Sequence, residues 1–179
     1  MNMQKEKVLK MSKTMDRALK IAGIVLILMI AAKGVLLSPF VSLDYLSGTI
    51  VITDIWGVNI PRNSDINVFR VSMLITMFRS GAMAAILFIA SFIFSDINRE
   101  ATPFTKKISS KIKIISLLLI ATELLLSPIE LLSMMAVMPE VNIAISFNLG
   151  SIIVAVIFFC LALVFEYGGL LQKESDEIL

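Results

Sequence analysis

Histidine is absent from this chain, and cysteine occurs once. Without imidazole there is no Ser-His-Asp triad, no histidine acid–base catalysis, no His-ligated haem and no His-bearing zinc site. A single thiol, Cys160, closes no disulfide within the chain. Set among Phe158, Phe159, Leu161 and Ala162, it reads as a small apolar packing residue. Charge is also scarce: 17% of the 179 residues, against about 25% in soluble domains. No catalytic or cofactor motif occurs anywhere. The reading therefore assigns no catalytic residue, no cofactor and no metal, and an enzyme is the least expected class.

What fills the chain instead is apolar. Hydrophobic residues make up 58% of it, and mean hydropathy is +0.91. A soluble protein of this size could not bury that excess, so lipid is the expected solvent. A membrane-spanning helix needs about 20 mainly apolar residues. Four segments meet that length, at about 19–37, 71–94, 112–135 and 143–165. The fold class expected is all-α: a four-helix transmembrane bundle forming one membrane domain over 1–179. The first apolar run has basic residues before it but no small-residue cleavage site close behind, so it reads as a retained helix.

Orientation follows from the basic residues, which stay in the cytoplasm. Lys5, Lys7, Lys10, Lys13, Arg17 and Lys20 precede the first span. Arg99, Lys106, Lys107, Lys111 and Lys113 lie between the second and third. The outer connections hold only Arg62 and Arg70. Both termini are thus expected in the cytoplasm, with the chain in the cell inner (plasma) membrane.

The outer loop, 38–70, is long for a turn. Its β-branched centre, Thr49-Ile50-Val51-Ile52-Thr53, suits a short β-hairpin, with Tyr45 and Trp56 near the outer headgroups. An ordinary cover over the helix ends and a sensor pocket are the two readings of it. In the inner loop, 96–111, Thr102 reads as a helix N-cap and Pro103 as the first helical residue. Phe104, Ile108, Ile112 and Ile115 then recur at helical spacing, and the lysines between them can meet anionic headgroups. No aromatic–basic interleaving of the single-strand-binding kind occurs, so no direct nucleic-acid binding is expected.

Four charges fall inside the spans: Lys33, Arg79, Glu123 and Glu130. Charge there is costly and normally faces other helices or a polar cavity. A rise of about 1.5 Å per residue puts all four in the outer half of the bilayer. Arg79 can pair with Glu123 or with Glu130, leaving Lys33 for the other. Such a network either fixes how three helices pack or lines a site for a small ligand or ion. Ser80 with Ala84, Gly81 with Ala85, and Ser146 with Gly150 have the small-xxx-small spacing of close helix contacts. The eleven methionines read as flexible packing.

Two stretches resemble a known family. One is Asp96-Ile97-Asn98-Arg99-Glu100-Ala101-Thr102-Pro103-Phe104-Thr105. The other is the tail from Phe165-Glu166-Tyr167-Gly168-Gly169-Leu170-Leu171-Gln172 to Leu179. With the four-span layout they are similar to a family of bacterial four-helix membrane proteins catalogued as domain of unknown function 2975. That family's pattern has Pro-Phe in the inner loop and an acidic ending after an aromatic–Gly turn. The resemblance implies a membrane partner for a small helix-turn-helix transcription regulator, and no enzyme activity. Its inner-loop motif here is Thr102, Pro103 and Phe104. In the tail, Glu174, Asp176 and Glu177 are the partner-binding candidates, because a DNA-binding domain presents a basic face.

The function expected is therefore a regulatory or interaction protein of the membrane. The alternatives are a small transporter or ligand-binding protein using Lys33, Arg79, Glu123 and Glu130, and an immunity-type membrane protein.

Overall fold

The computed structural model describes residues 3–37, 66–100, 102–137 and 149–178. Four helices account for nearly all of them: α1 (Met3–Leu36), α2 (Ile66–Glu100), α3 (Lys106–Val137) and α4 (Leu149–Ile178). The chain is all-α among the described residues, and each helix is long and apolar enough to cross a membrane. The expected hairpin at 49–53, Tyr45, Trp56, Ser146 and the start of the fourth expected span lie outside the described residues.

The helices outrun the apolar segments that announce them. α1 has 34 residues, or about 51 Å at 1.5 Å per residue, whereas the hydrocarbon core is about 30 Å thick. α2 continues past Phe94 through the charged run to Glu100, and α3 starts at Lys106. The inner connection read as 96–111 thus narrows to a few residues around Thr102–Thr105. The helix start also moves. Thr105, not Thr102, caps α3: its Oγ1 accepts the Ile108 N–H at 3.3 Å, and its carbonyl accepts those of Ile108 and Ser109, both at 3.1 Å. Residues 102–104 stay out of the helix, which frees Phe104 to reach α4.

Three sets of contacts fix the topology. Ser12 meets the Phe94 carbonyl and Lys33 meets Ser80, so α1 and α2 run antiparallel. Asp96 meets Lys111 while Arg79 meets Glu130, which does the same for α2 and α3. Ser109 and Ser116 donate to the carbonyls of Ala162 and Ala155, each at 2.8 Å, and set α4 antiparallel to α3. The helices alternate direction. Packing follows chain order, α1 on α2, α2 on α3, α3 on α4, and among the described residues α1 and α4 share no extensive contact. Among the described residues α1 and α4 each have one extensive helix neighbour.

The interior is small and partly polar, and the exterior is large and apolar. Ser91, Ser109, Ser116, Ala155 and Ala162 are almost fully buried, whereas Leu28, Val35, Phe78, Leu125 and Val164 are exposed. A soluble fold inverts that pattern. In lipid it is the economical arrangement, because helices gain nothing by hiding leucine from hydrocarbon and gain close contact through small residues. Cys160, read as a small apolar packing residue, is exposed on α4. Pro128 stands inside α3, where it removes one helical N–H without ending the helix.

A seven-residue seam joins α3 to α4. Ser109 and Ser116 stand at that interval on α3, and Ala155, Ala162 and Gly169 recur at it on α4. The small α4 residues let the serine hydroxyls reach backbone carbonyls. Ile108, Ile112 and Ala162 form the apolar core beside this seam, covered by Ile93, Ile97, Phe158 and Phe165.

Candidate functional site

The start of α1, the end of α4 and the α2–α3 connection share one end of the molecule, here the terminal end. Three layers of polar contact tie the helices together there. Between α1 and α2, Ser91 donates to Asp16 at 2.6 Å and Ser12 donates to the Phe94 carbonyl at 2.8 Å, while Lys20, one turn along α1, pairs with the same Asp16 at 2.9 Å. Between α2 and α3, buried Asp96 takes Lys111 at 2.5 Å and Lys107 at 3.2 Å. Between α3 and α4, Lys113 pairs with Glu166 at 2.5 Å. Three of the inner-loop lysines read as headgroup ligands therefore hold carboxylates of this chain. Lys111 also lies 5.5 Å from the centre of the Phe92 ring, a cation–π distance.

The inner-loop motif forms a latch on α4. Thr102 Oγ1 accepts the Phe104 N–H at 3.3 Å and donates to Gln172 Oε1 at 3.0 Å. That local turn projects the Phe104 ring onto α4, with its centre 5.5 Å from that of Phe165. The landing point is Gly168-Gly169. A methyl group at Gly168 would sit 2.7 Å from the Phe104 Cδ1, and one at Gly169 would sit 3.0 Å from the Phe104 carbonyl oxygen. The glycines are needed for close approach and not for a turn. α4 runs through them without a break to Ile178, where the sequence suggested an aromatic–Gly turn. The two stretches that carry the family resemblance are thus in direct contact. Their separation by some sixty residues in sequence gives no sign of that contact.

Beyond the latch, Lys173, Glu174 and Glu177 are exposed on the last turns of α4, and Asp176 belongs to the same helix. Lys173 pairs with Glu177 at 3.6 Å. Exposed pairs of this kind contribute about 0.3–0.5 kcal/mol to a helix, so they leave the acidic surface available.

The four intramembrane charges lie at the other end, on α1, α2 and α3. Arg79 pairs with Glu130 at 3.4 Å, and Lys33 is buried with its Nζ 3.4 Å from Ser80 Oγ. Among the described residues neither Arg79 nor Lys33 forms an ion pair with Glu123, which is buried one helical turn from Ser127. The Ser127 hydroxyl oxygen is itself buried without a hydrogen-bond partner among those residues. Of the two pairings open to Arg79, the chain uses Glu130.

Arg79→Ala is expected to lower Tm in detergent, because it leaves Glu130 without its cation. About half of each side chain is exposed, so the loss should be about 1–2 kcal/mol, below the 3–5 of a fully buried pair. Glu130→Gln in the same chain should restore part of it. An unchanged Tm in the single variant would mean the pair does not hold α2 to α3.

Comparison of the chain with protein-family models, with curated proteins and with solved structures finds no match.

Proposed function

We propose that this is a regulatory or interaction protein of the bacterial plasma membrane, with both ends in the cytoplasm. Its terminal end would dock a small cytosolic helix-turn-helix regulator. The observation that supports this reading is the latched tail: α4 continues unbroken past Gly168-Gly169, gripped by Phe104, and carries Glu174 and Glu177 exposed. A disordered acidic tail would need ordering on binding, whereas a fixed helix loses little entropy when a partner docks. Its acids suit the basic face with which a DNA-binding domain meets phosphate, so the tail would compete with DNA for one surface. The resemblance to the four-helix family leads to the same partner class. An enzyme is not proposed.

Deleting Lys173 to Leu179 tests the reading. The shortened protein should reach its normal level in the membrane, because the latch residues remain, and should lose co-purification of any small regulator encoded beside it. Retention of the regulator at normal membrane levels would move the docking site to the connection between α2 and α3.

A second reading, a small-ligand site, rests on buried Glu123 and, one turn away, the Ser127 hydroxyl, which has no hydrogen-bond partner among the described residues. A ligand there should raise Tm in nanodiscs for the wild type and less for Ser127→Ala. Equal responses would remove this reading.

A further inference from the structure

We propose that Glu123 and Ser127 together hold one monovalent metal cation within the membrane, reached from the Glu130 side of α3. This rests on the second reading above, a small-ligand site, and gives its ligand a chemical class. Ser127 follows Glu123 by four residues and Glu130 follows Ser127 by three, so the side chains line one side of α3. The line runs from buried to open. Glu123 and Ser127 are 7% and 6% exposed, whereas the Glu130 side chain is 41% exposed. At 1.5 Å of rise per residue, Glu130 lies about 10 Å outward of Glu123.

Both buried groups lack what such groups normally have. A carboxylate in an apolar interior needs a cation or several hydrogen-bond donors. Among the described residues no cation pairs with Glu123, because Arg79 goes to Glu130 and Lys33 meets Ser80 between α1 and α2. A hydroxyl inside a helix usually bonds its own backbone one turn back or a neighbouring helix. Thr122 takes the first course, donating to the Leu118 carbonyl at 2.7 Å. Ser109 and Ser116 take the second, donating to carbonyls of α4. Ser127 takes neither among the described residues, and its hydroxyl oxygen is shielded from solvent.

The atoms on offer are all oxygens, the carboxylate pair of Glu123 and the hydroxyl of Ser127. Such ligands suit a hard cation and not the soft metals that thiolates select. One carboxylate balances one positive charge. Calcium takes about 6–8 oxygens, commonly from several carboxylates, and among the described residues no three carboxylate or thiol side chains gather as a metal site. A divalent ion would also bury a second charge without a counter-charge, which is costly. An alkali-metal ion fits both the oxygens and the charge. Arg79 and Glu130, each about half exposed, make the outward end of the line polar.

A hydrophobic carbodiimide tests the proposal, because it modifies uncommitted carboxyl groups in apolar surroundings and peptide mass spectrometry locates the adduct. Full-length protein in nanodiscs is treated at one pH in choline chloride, and in sodium, potassium or lithium chloride at equal ionic strength. Glu123 should be modified in choline chloride, and at least one alkali salt should slow that modification several-fold. Glu123→Gln should abolish the adduct and so confirm its position. Ser127→Ala should need several-fold more alkali salt for the same protection, and Ser127→Thr, which keeps a hydroxyl, should behave like wild type. The wild-type salt series needs no variant, so misfolding of a variant leaves it standing. Modification that no alkali salt slows overturns the proposal while leaving Glu123 an open site for another ligand. Equal protection in wild type and Ser127→Ala also overturns it, since the hydroxyl would then not touch the ion. No modification of Glu123 in choline chloride would mean that the protein satisfies the carboxyl itself, and the small-ligand reading then falls as well. The two failures are therefore distinguishable, and neither touches regulator co-purification.

Discussion

Gly168→Ala is expected to destabilise the wild-type protein and to stabilise the same protein carrying Phe104→Ala. Two terms compete at this position. Alanine is better than glycine in a helix interior by about 0.8–1.0 kcal/mol. Against that, the new methyl group would lie 2.7 Å from the Phe104 ring, and overpacking of this kind costs about 1–3 kcal/mol. The clash wins while the ring is present. With Phe104 truncated only the helix term is left, and the sign reverses. Gly168→Leu enlarges the first effect and should detach the connection from α4, seen as faster proteolysis between Glu100 and Lys106. Gly169→Ala is harder to relieve, since its close neighbour is the Phe104 backbone carbonyl at 3.0 Å and not a rotatable side chain. Thermal melts of the four-member cycle check the account. The same sign for Gly168→Ala in both backgrounds would mean that Phe104 does not press on α4.

The second large effect is expected at Asp96. Its carboxylate is buried and takes two cations from α3, Lys111 and Lys107. Asp96→Asn keeps the volume and removes the charge, leaving two ammonium groups facing each other without a counter-ion. Losing one partner of a buried pair costs about 3–5 kcal/mol. The Lys107 side chain is 54% exposed and can turn to water, so about 2–3 kcal/mol is the reasonable figure here. Lys107→Ala alone should cost far less, and Lys111→Met with Asp96→Asn should recover much of the loss. Chemical denaturation in mild detergent measures all three.

The spans were legible because about 20 apolar residues in a row admit few alternatives. Helix length was not. Hydropathy reports only the part of a helix that lipid dissolves. Beyond Phe94 and before Ile112 the chain is charged, and what keeps it helical is tertiary: Asp96 on Lys107 and Lys111, Glu166 on Lys113. Gly168-Gly169 misled for a related reason. Glycine pairs usually mark a break in a helix, but here the missing Cβ atoms make room for Phe104, which no local rule reveals. Pro103 favours Thr102 as the cap in sequence, and Thr105 takes that role because residues 102–104 carry the Phe104 ring to α4. The α3–α4 seam could have been found. Ser109 and Ser116 stand seven residues apart, as do Ala155 and Ala162, and matched spacings on neighbouring helices are a packing register. The charges inside the spans read as one set of four; among the described residues Arg79 pairs with Glu130, and Lys33 meets Ser80. Hydropathy and spacing give depth but not rotation about the helix axis, so Glu123 and Glu130 looked interchangeable.

The docking account depends above all on the latched tail standing in the cytoplasm. Impermeant maleimide labelling of Glu174→Cys, in a chain with Cys160→Ala, measures that directly. The account predicts no labelling in intact spheroplasts and full labelling in inverted vesicles, with Gly57→Cys giving the reverse. Labelling of Glu174→Cys in intact spheroplasts would place the acidic tail outside the cell, where no transcription regulator could meet it.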